Sequence, residues 1–283
     1  MESDSAHRES GRGEIGLFLV LTFALSSIFY FIALRGEGIS AGGGYVVVGL
    51  MWCPGVAALV TVAVRRRSLR GLGWGRGPWR FWLYGYGSPI LYAGIVYALV
   101  WWGGLGSIDQ EVAGRLVSSR FLQALGLGTL LSCATALGEE IGWRGFLTPR
   151  LAERFGFVRS TLITGAIWAV WHYPLLIWGG YKGETPVAFS LACFTVLVIG
   201  ISFLFAWHRL ASGSVWPAML LHASHNFWIQ GVFDRLTSDT GPTRWWIGEF
   251  GAGLALIAIV VAFVAIRCHR RGETRTLADS SGP

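Results

Sequence analysis

Apolar residues in this chain fall in long unbroken runs, with neither the alternation of a half-buried strand nor the narrow stripe of a surface helix. A helix needs about 18 or more such residues to cross roughly 30 Å of hydrocarbon. Eight runs meet that length, at about 15–34, 44–64, 79–102, 121–142, 160–178, 187–207, 213–231 and 246–266. The fourth and seventh are interrupted by ionisable and amide groups that a lipid-facing helix should not carry. The pattern predicts an all-α fold: a polytopic membrane bundle of about eight transmembrane helices around a polar intramembrane pocket. No repeat of fixed period is present, so residues 15–266 read as one domain between tails at 1–14 and 267–283, with the polar interruptions confined to 121–231. The first run is too long for a signal-peptide core and no cleavage site follows it, so it is expected to remain as a helix. The polar stretch from Gly103 to Arg120 is expected on the outer surface as a short amphipathic helix.

Composition agrees. With 53% hydrophobic and 14% charged residues and a mean hydropathy of +0.52, the chain has too little charge to cover a soluble domain of this size. The same figures exclude disorder, coiled coil and collagen. The 40 glycines and 15 tryptophans suit close helix packing and interfacial belts. A net charge of +7 raises nucleic acid as a partner, but the basic residues sit in short loops between apolar runs, where they orient helices; no nucleic acid is expected. With the N-terminus inside, 17 Arg and Lys residues fall on the cytoplasmic side and 6 on the other. Both termini are therefore expected in the cytoplasm, and the arginine-rich, lysine-poor composition points to a bacterial cell membrane. The run Arg65-Arg66-Arg67-Ser68-Leu69-Arg70 reads as an anchor of that kind. Cys53, Cys133, Cys193 and Cys268 show no paired spacing and imply no disulfide or thiolate metal site.

Three segments place ionisable residues where the pattern says bilayer, at a cost of several kcal/mol each unless paired or wetted. In Gly138-Glu139-Glu140-Ile141-Gly142-Trp143-Arg144, Glu140 and Arg144 are i,i+4 neighbours able to form an ion pair, while Glu139 points about 100° away. A carboxylate so placed becomes a usable base if it reaches water; alternatively both glutamates neutralise Arg144 and Arg150. In Trp168 to Pro174, Trp168 and His172 share a face and Pro174 should kink the helix; a structural histidine bonded to a backbone carbonyl is the competing use. In His222-Ala223-Ser224-His225-Asn226, His222 and Asn226 share a face and can both donate into one pocket, as an oxyanion requires. His225 is an alternative to His222, and interhelical hydrogen bonding competes with either role.

Each segment is ambiguous alone. Together, on three helices, they form a hydrolytic constellation: Glu139, aided by His172, would activate water while His222 and Asn226 stabilise the tetrahedral intermediate. Two other classes remain open. Intramembrane glutamates and histidines also serve proton-coupled transporters, although no repeat is detectable; a non-catalytic binding or immunity protein would not need the complete set. There is no serine-protease GxSG, and no pair of intramembrane aspartates.

At these residues the sequence resembles the CPBP family of CAAX proteases and bacteriocin-processing enzymes, the type II CAAX prenyl endopeptidases. Glu139-Glu140 with Arg144 resembles its EExxxR, Trp168 to His172 its FxxxH and His222 to Asn226 its HxxxN. Trp168 stands where the family usually has phenylalanine, a change expected to alter pocket shape more than chemistry. The resemblance implies an intramembrane endopeptidase with Glu139, His172, His222 and Asn226 in the active site and Glu140 and Arg144 as a supporting pair. Its substrate would be a membrane-associated peptide or protein, prenylated or unprenylated. The family is often labelled metalloprotease, and Glu139, His172 and His222 could supply three ligands to a divalent metal such as zinc; HExxH is absent, and a metal-free glutamate mechanism is favoured. On either mechanism the four residues should line one pocket, opening towards the cytoplasmic side or laterally to lipid.

Overall fold

The computed structural model describes residues 2–36, 44–116 and 118–280. Without water in the bilayer core, backbone N–H and C=O groups must pair within their own segment, which long helices achieve. The described chain is accordingly almost all helical. Its helices are α1 (Glu2–Arg35), α2 (Tyr45–Val64), α3 (Trp79–Trp102), α4 (Gln110–Leu116), α5 (Ser119–Glu140), α6 (Thr148–Ile177), α7 (Val187–Ser212), α8 (Trp216–Asn226) and α9 (Ala252–Ser280). Two π-helical turns, Ile141–Leu147 and Phe227–Phe233, extend α5 into α6 and α8 outwards. The strands are two-residue pieces, β1 (Ser107–Ile108) and β2 (Thr237–Ser238), paired antiparallel with Ser107 opposite Ser238.

Six helical segments are long and apolar enough to cross a membrane, and this is the all-α polytopic bundle expected from the pattern. One of them, Gln123–Ile177, is 55 residues long, roughly 80 Å at helical rise, and so contains the fourth and fifth expected runs together. The seventh run forms α8 and its π-helical turn, helical as expected but too polar to be counted by composition. The stretch after Gly103 carries β1 and α4, matching the expected short helix. The kink expected at Pro174 is elsewhere. That proline lies within α6, which continues to Ile177, and the one non-helical residue inside α6 is Gly156, at φ 70° and ψ 179°. Only glycine adopts that positive φ without strain, so the chain turns there and not at the proline.

The bundle has two chemically different ends. At one, Glu14 of α1 accepts hydrogen bonds from Arg67 (2.6 Å) and Arg150 (3.3 Å), Arg209 donates to the Gly71 carbonyl, and Val215 donates to the Gly73 carbonyl. Arg150 is thus neutralised by Glu14, not by the Glu139-Glu140 pair. At the other end β1 meets β2, Tyr97 donates to Asp234, and Tyr181 reaches Glu249. All four cysteines are free.

Backbone contact between α2 and α5 sets the height of the motif-bearing segment. A Cβ on Gly138 would lie 2.6 Å from the Trp52 Cα and 2.7 Å from the Met51 carbonyl oxygen, and one on Gly142 would lie 2.4 Å from the Pro54 Cβ. Only glycine lets the two helices approach so closely. Trp52 adds an indole hydrogen bond to the Ala134 carbonyl at 3.0 Å. Gly138→Ala should therefore lower the thermal stability of detergent-solubilised protein markedly, whereas Gly126→Ala, which would meet nothing within 4 Å, should leave it unchanged.

Candidate active site

Glu140 is completely buried, and its Oε1 is shared by two donors from different parts of the chain. Arg144 donates through Nη1 at 3.0 Å, as the i,i+4 spacing predicts, and His222 of α8 donates through Nδ1 at 2.8 Å. A carboxylate only accepts, so Nδ1 carries the proton and Nε2 is the His222 nitrogen left for other contacts. The Arg144 guanidinium is held between two rings, 4.1 Å from the centroids of Trp168 and Phe205, and donates to Ser202 Oγ at 3.3 Å. Cation–π contact and hydrogen bonding replace the hydration this charge loses on burial.

Glu139, 2% exposed, has a different environment. Its Oε2 accepts a 2.6 Å hydrogen bond from the Trp168 indole, and Oε1 has no protein hydrogen bond among the described residues. Here the structure corrects the expectation for Trp168. Phenylalanine at this position would preserve the ring but could not donate, so the tryptophan changes chemistry as well as shape. On the same helix His172 donates from Nδ1 to the Trp168 carbonyl at 2.9 Å, since a carbonyl can only accept. That is the structural hydrogen bond anticipated as a competing use, and it also fixes the ring and leaves Nε2 as the second nitrogen.

Glu139, Trp168, His172, His222 and Asn226 all line one cavity of about 130 Å³, enough for several water molecules. Its other wall is aliphatic and aromatic, from α2 and α7. Asn226, the last residue of α8, has no side-chain hydrogen bond to protein among the described residues. Glu140 and Arg144 do not line the cavity; they lie behind it. The cavity runs from Glu139 towards the end carrying β1 and β2, which is the arginine-poor end, not the arginine-rich one expected.

A second polar cluster shares the cavity, and the sequence motifs do not reveal it. Glu249 accepts from His225 Nε2 at 3.0 Å, from the Tyr181 hydroxyl at 2.5 Å and from Gln230 Nε2 at 3.0 Å, and Tyr92 bonds His225 Nδ1. His225 therefore belongs to a network distinct from that of His222. No spacing rule joins Glu249 to His225 or Tyr181; the only available signal is a glutamate inside the eighth apolar run.

The order and spacing of these motifs match known sequences. Residues 121–228 match the family described as Type II CAAX prenyl endopeptidase Rce1-like. The motif-bearing segment is Rce1-like. The chain is also 36% identical over 74 residues to CAAX prenyl protease 2 of Methanococcus maripaludis. That similarity covers 26% of this chain and 26% of the relative, so about a quarter of each is shared. The Rce1-like segment holds all three motifs; of the second cluster, Tyr181 falls inside it and Glu249 beyond its end.

A zinc-type site would need three or four such side chains converging on one point. Among the described residues no three His, Cys, Asp or Glu side chains are grouped to hold a metal ion. Glu139, His172 and His222 share the cavity but do not form such a group, with one Glu139 oxygen bound to Trp168 and one nitrogen of each histidine already bonded. As placed, this donor set does not fit a resident metal. The buried pair behind it is structural. Removing Arg144 would leave Glu140 charged, buried and short of a partner, a loss of about 3–5 kcal/mol for a pair of this kind. Arg144→Ala should accordingly lower the unfolding temperature sharply and reduce the yield of folded protein, while Arg115→Ala, which breaks an exposed pair with Glu111, should do neither.

Proposed function

We propose that the protein is an intramembrane endopeptidase of the CAAX-prenyl-endopeptidase type, hydrolysing a peptide bond in a membrane-associated substrate. The observation that carries this reading is the division of labour between adjacent glutamates. Glu140 is consumed by Arg144 and His222, whereas Glu139 keeps one oxygen free in a cavity shared with His172, His222 and Asn226. The Rce1-like match of the same segment supports it.

In this mechanism a water molecule in the cavity gives a proton to Glu139 as its oxygen attacks the scissile carbonyl carbon. His172, with Nδ1 fixed on the Trp168 carbonyl, orients that water through Nε2. The carbonyl oxygen becomes an oxyanion, and its donors are the Asn226 amide and Nε2–H of a His222 carrying both protons. Glu139 then returns the proton to the departing amine, so the bond to nitrogen breaks and one water is consumed. Trp168 positions Glu139 by its indole hydrogen bond, and Glu140 positions His222 in the way a carboxylate orients a catalytic histidine.

The test is cleavage of fluorogenic membrane-associated peptides, prenylated and unprenylated, by purified protein with and without a chelator. Glu139→Gln should lose cleavage on every peptide, and the wild type should keep it in chelator. Loss in chelator restored by zinc would replace the glutamate mechanism by a metal-dependent one. Trp168→Phe should lower kcat by about 10-fold, the worth of one hydrogen bond of roughly 1.4 kcal/mol, with little change in KM; an unchanged kcat would remove the indole from the mechanism.

A further inference from the structure

The cavity is reached from one end of the bundle, and the charge of the two ends says which side of the membrane that is. Gly138, next to Glu139, packs on Trp52, seven residues from the start of α2 at Tyr45 and twelve from its end at Val64. At helical rise this puts the motif about 10 Å below one end of α2 and about 18 Å above the other. His172 is likewise five residues from the end of α6 at Ile177. On α8 the lining residues His225, Asn226 and Gln230 follow His222 in the same direction, and Gln230 is exposed. The remaining lining residues include Val46 and Val47 in the first turn of α2, Tyr181 in the loop after α6 and Glu249 before α9. Among the described residues none of the lining comes from the segments 65–78, 148–160, 209–216 or 267–280.

Those four segments form the arginine-rich end. Arg65, Arg66, Arg67 and Arg70 follow α2, Arg150, Arg154 and Arg159 lie in the first turns of α6, Arg209 closes α7, and Arg267, Arg270 and Arg271 lie far along α9. The contacts of Glu14 and Arg209 described above bring the first three of these segments together. At the mouth end the basic residues with described side chains are Arg35, Arg115, Lys182, Arg235 and Arg244. A bias of this size in short loops retains the arginine-rich end in the cytoplasm.

We infer that the cavity opens to the extracytoplasmic side, and that its substrate is the extracytoplasmic juxtamembrane segment of a membrane-anchored polypeptide, not a peptide presented from the cytoplasm. This deepens the endopeptidase reading and rests on it for the word substrate. An apolar wall of Val46, Leu50, Leu175, Phe194, Leu197 and Ile201 leads down to Glu139, so an extended apolar stretch entering beside Tyr181 and Gln230 meets the carboxylate after about 10 Å.

Access and chemistry are tested separately. In the full-length chain with Cys133→Ala and Cys268→Ala, single cysteines at Lys182→Cys and Gln230→Cys on the mouth side and Arg70→Cys on the other are treated with a membrane-impermeant maleimide in intact cells. Labelling of the first two in intact cells, and of the third only after permeabilisation, is the expected result. The reverse pattern overturns the inference whatever the enzyme cleaves. Single-span reporters bearing the same apolar segment outside or inside the membrane then address substrate. Cleavage of the outside reporter alone, lost in Glu139→Gln, is expected, and cleavage of the inside reporter alone overturns the inference. Cleavage of neither, with labelling as expected, counts against the endopeptidase reading and upholds the access side.

Discussion

A charged group inside a bilayer has no water to fall back on, and this protein meets that constraint with one shared carboxylate. Glu140 accepts from Arg144 on its own helical run and from His222 on α8, while Trp168 and Phe205 cover the guanidinium on both faces. Desolvating such a cluster is costly, and it is tolerated only because every charge has close partners. The arrangement also has a geometric product. It ties four helices to one point, because Glu140 ends α5, Trp168 belongs to α6, Ser202 and Phe205 to α7 and His222 to α8.

Around that point the backbone contact of α2 with Gly138 and Gly142 fixes the rotation of α5, so that Glu140 faces the cluster and Glu139, about 100° round the helix, faces the cavity. One carboxylate is spent on structure and its neighbour is spared. The spared one keeps a single hydrogen bond, from the Trp168 indole. The cavity thus holds a partly satisfied carboxylate, two histidines with one nitrogen each left for other contacts, and an unbonded amide. Such a set is suited to moving protons around a carbonyl group, which is why hydrolysis is the function proposed. The second cluster, with Glu249 joining His225, Tyr181 and Gln230, closes the wall nearer the mouth and ties the loop after α6 to the segment before α9.

Much of this is legible in the sequence, and the limits have physical causes. Helical periodicity makes i,i+4 pairs visible, so Glu140 with Arg144, and the shared faces of Trp168 with His172 and His222 with Asn226, can be read directly. Long-range partners cannot. His222 is 82 residues from Glu140 and Glu249 is 24 residues from His225, separations set by packing and not by spacing. Trp168 reads as a ring because its indole N–H has meaning only once Glu139 is placed opposite it. Proline is the stronger helix breaker on average, which is why the pattern favours a turn at Pro174. Near the end of a helix its missing donor costs little, and a glycine at positive φ takes the bend instead. The direction of the cavity escapes the sequence for a similar reason, since residue order fixes the end towards which a pocket runs only when the helices that build it are known.

Unequal roles for two adjacent glutamates are the centre of this structure, and they are tested most directly by the thermal unfolding of purified Glu139→Gln and Glu140→Gln in the same detergent. Both substitutions keep shape and remove one charge. Glu140→Gln should unfold at a much lower temperature than wild type, because Arg144 loses its counter-charge in an apolar surrounding, while Glu139→Gln should unfold close to wild type. Equal destabilisation, or the larger loss in Glu139→Gln, would contradict that division of roles.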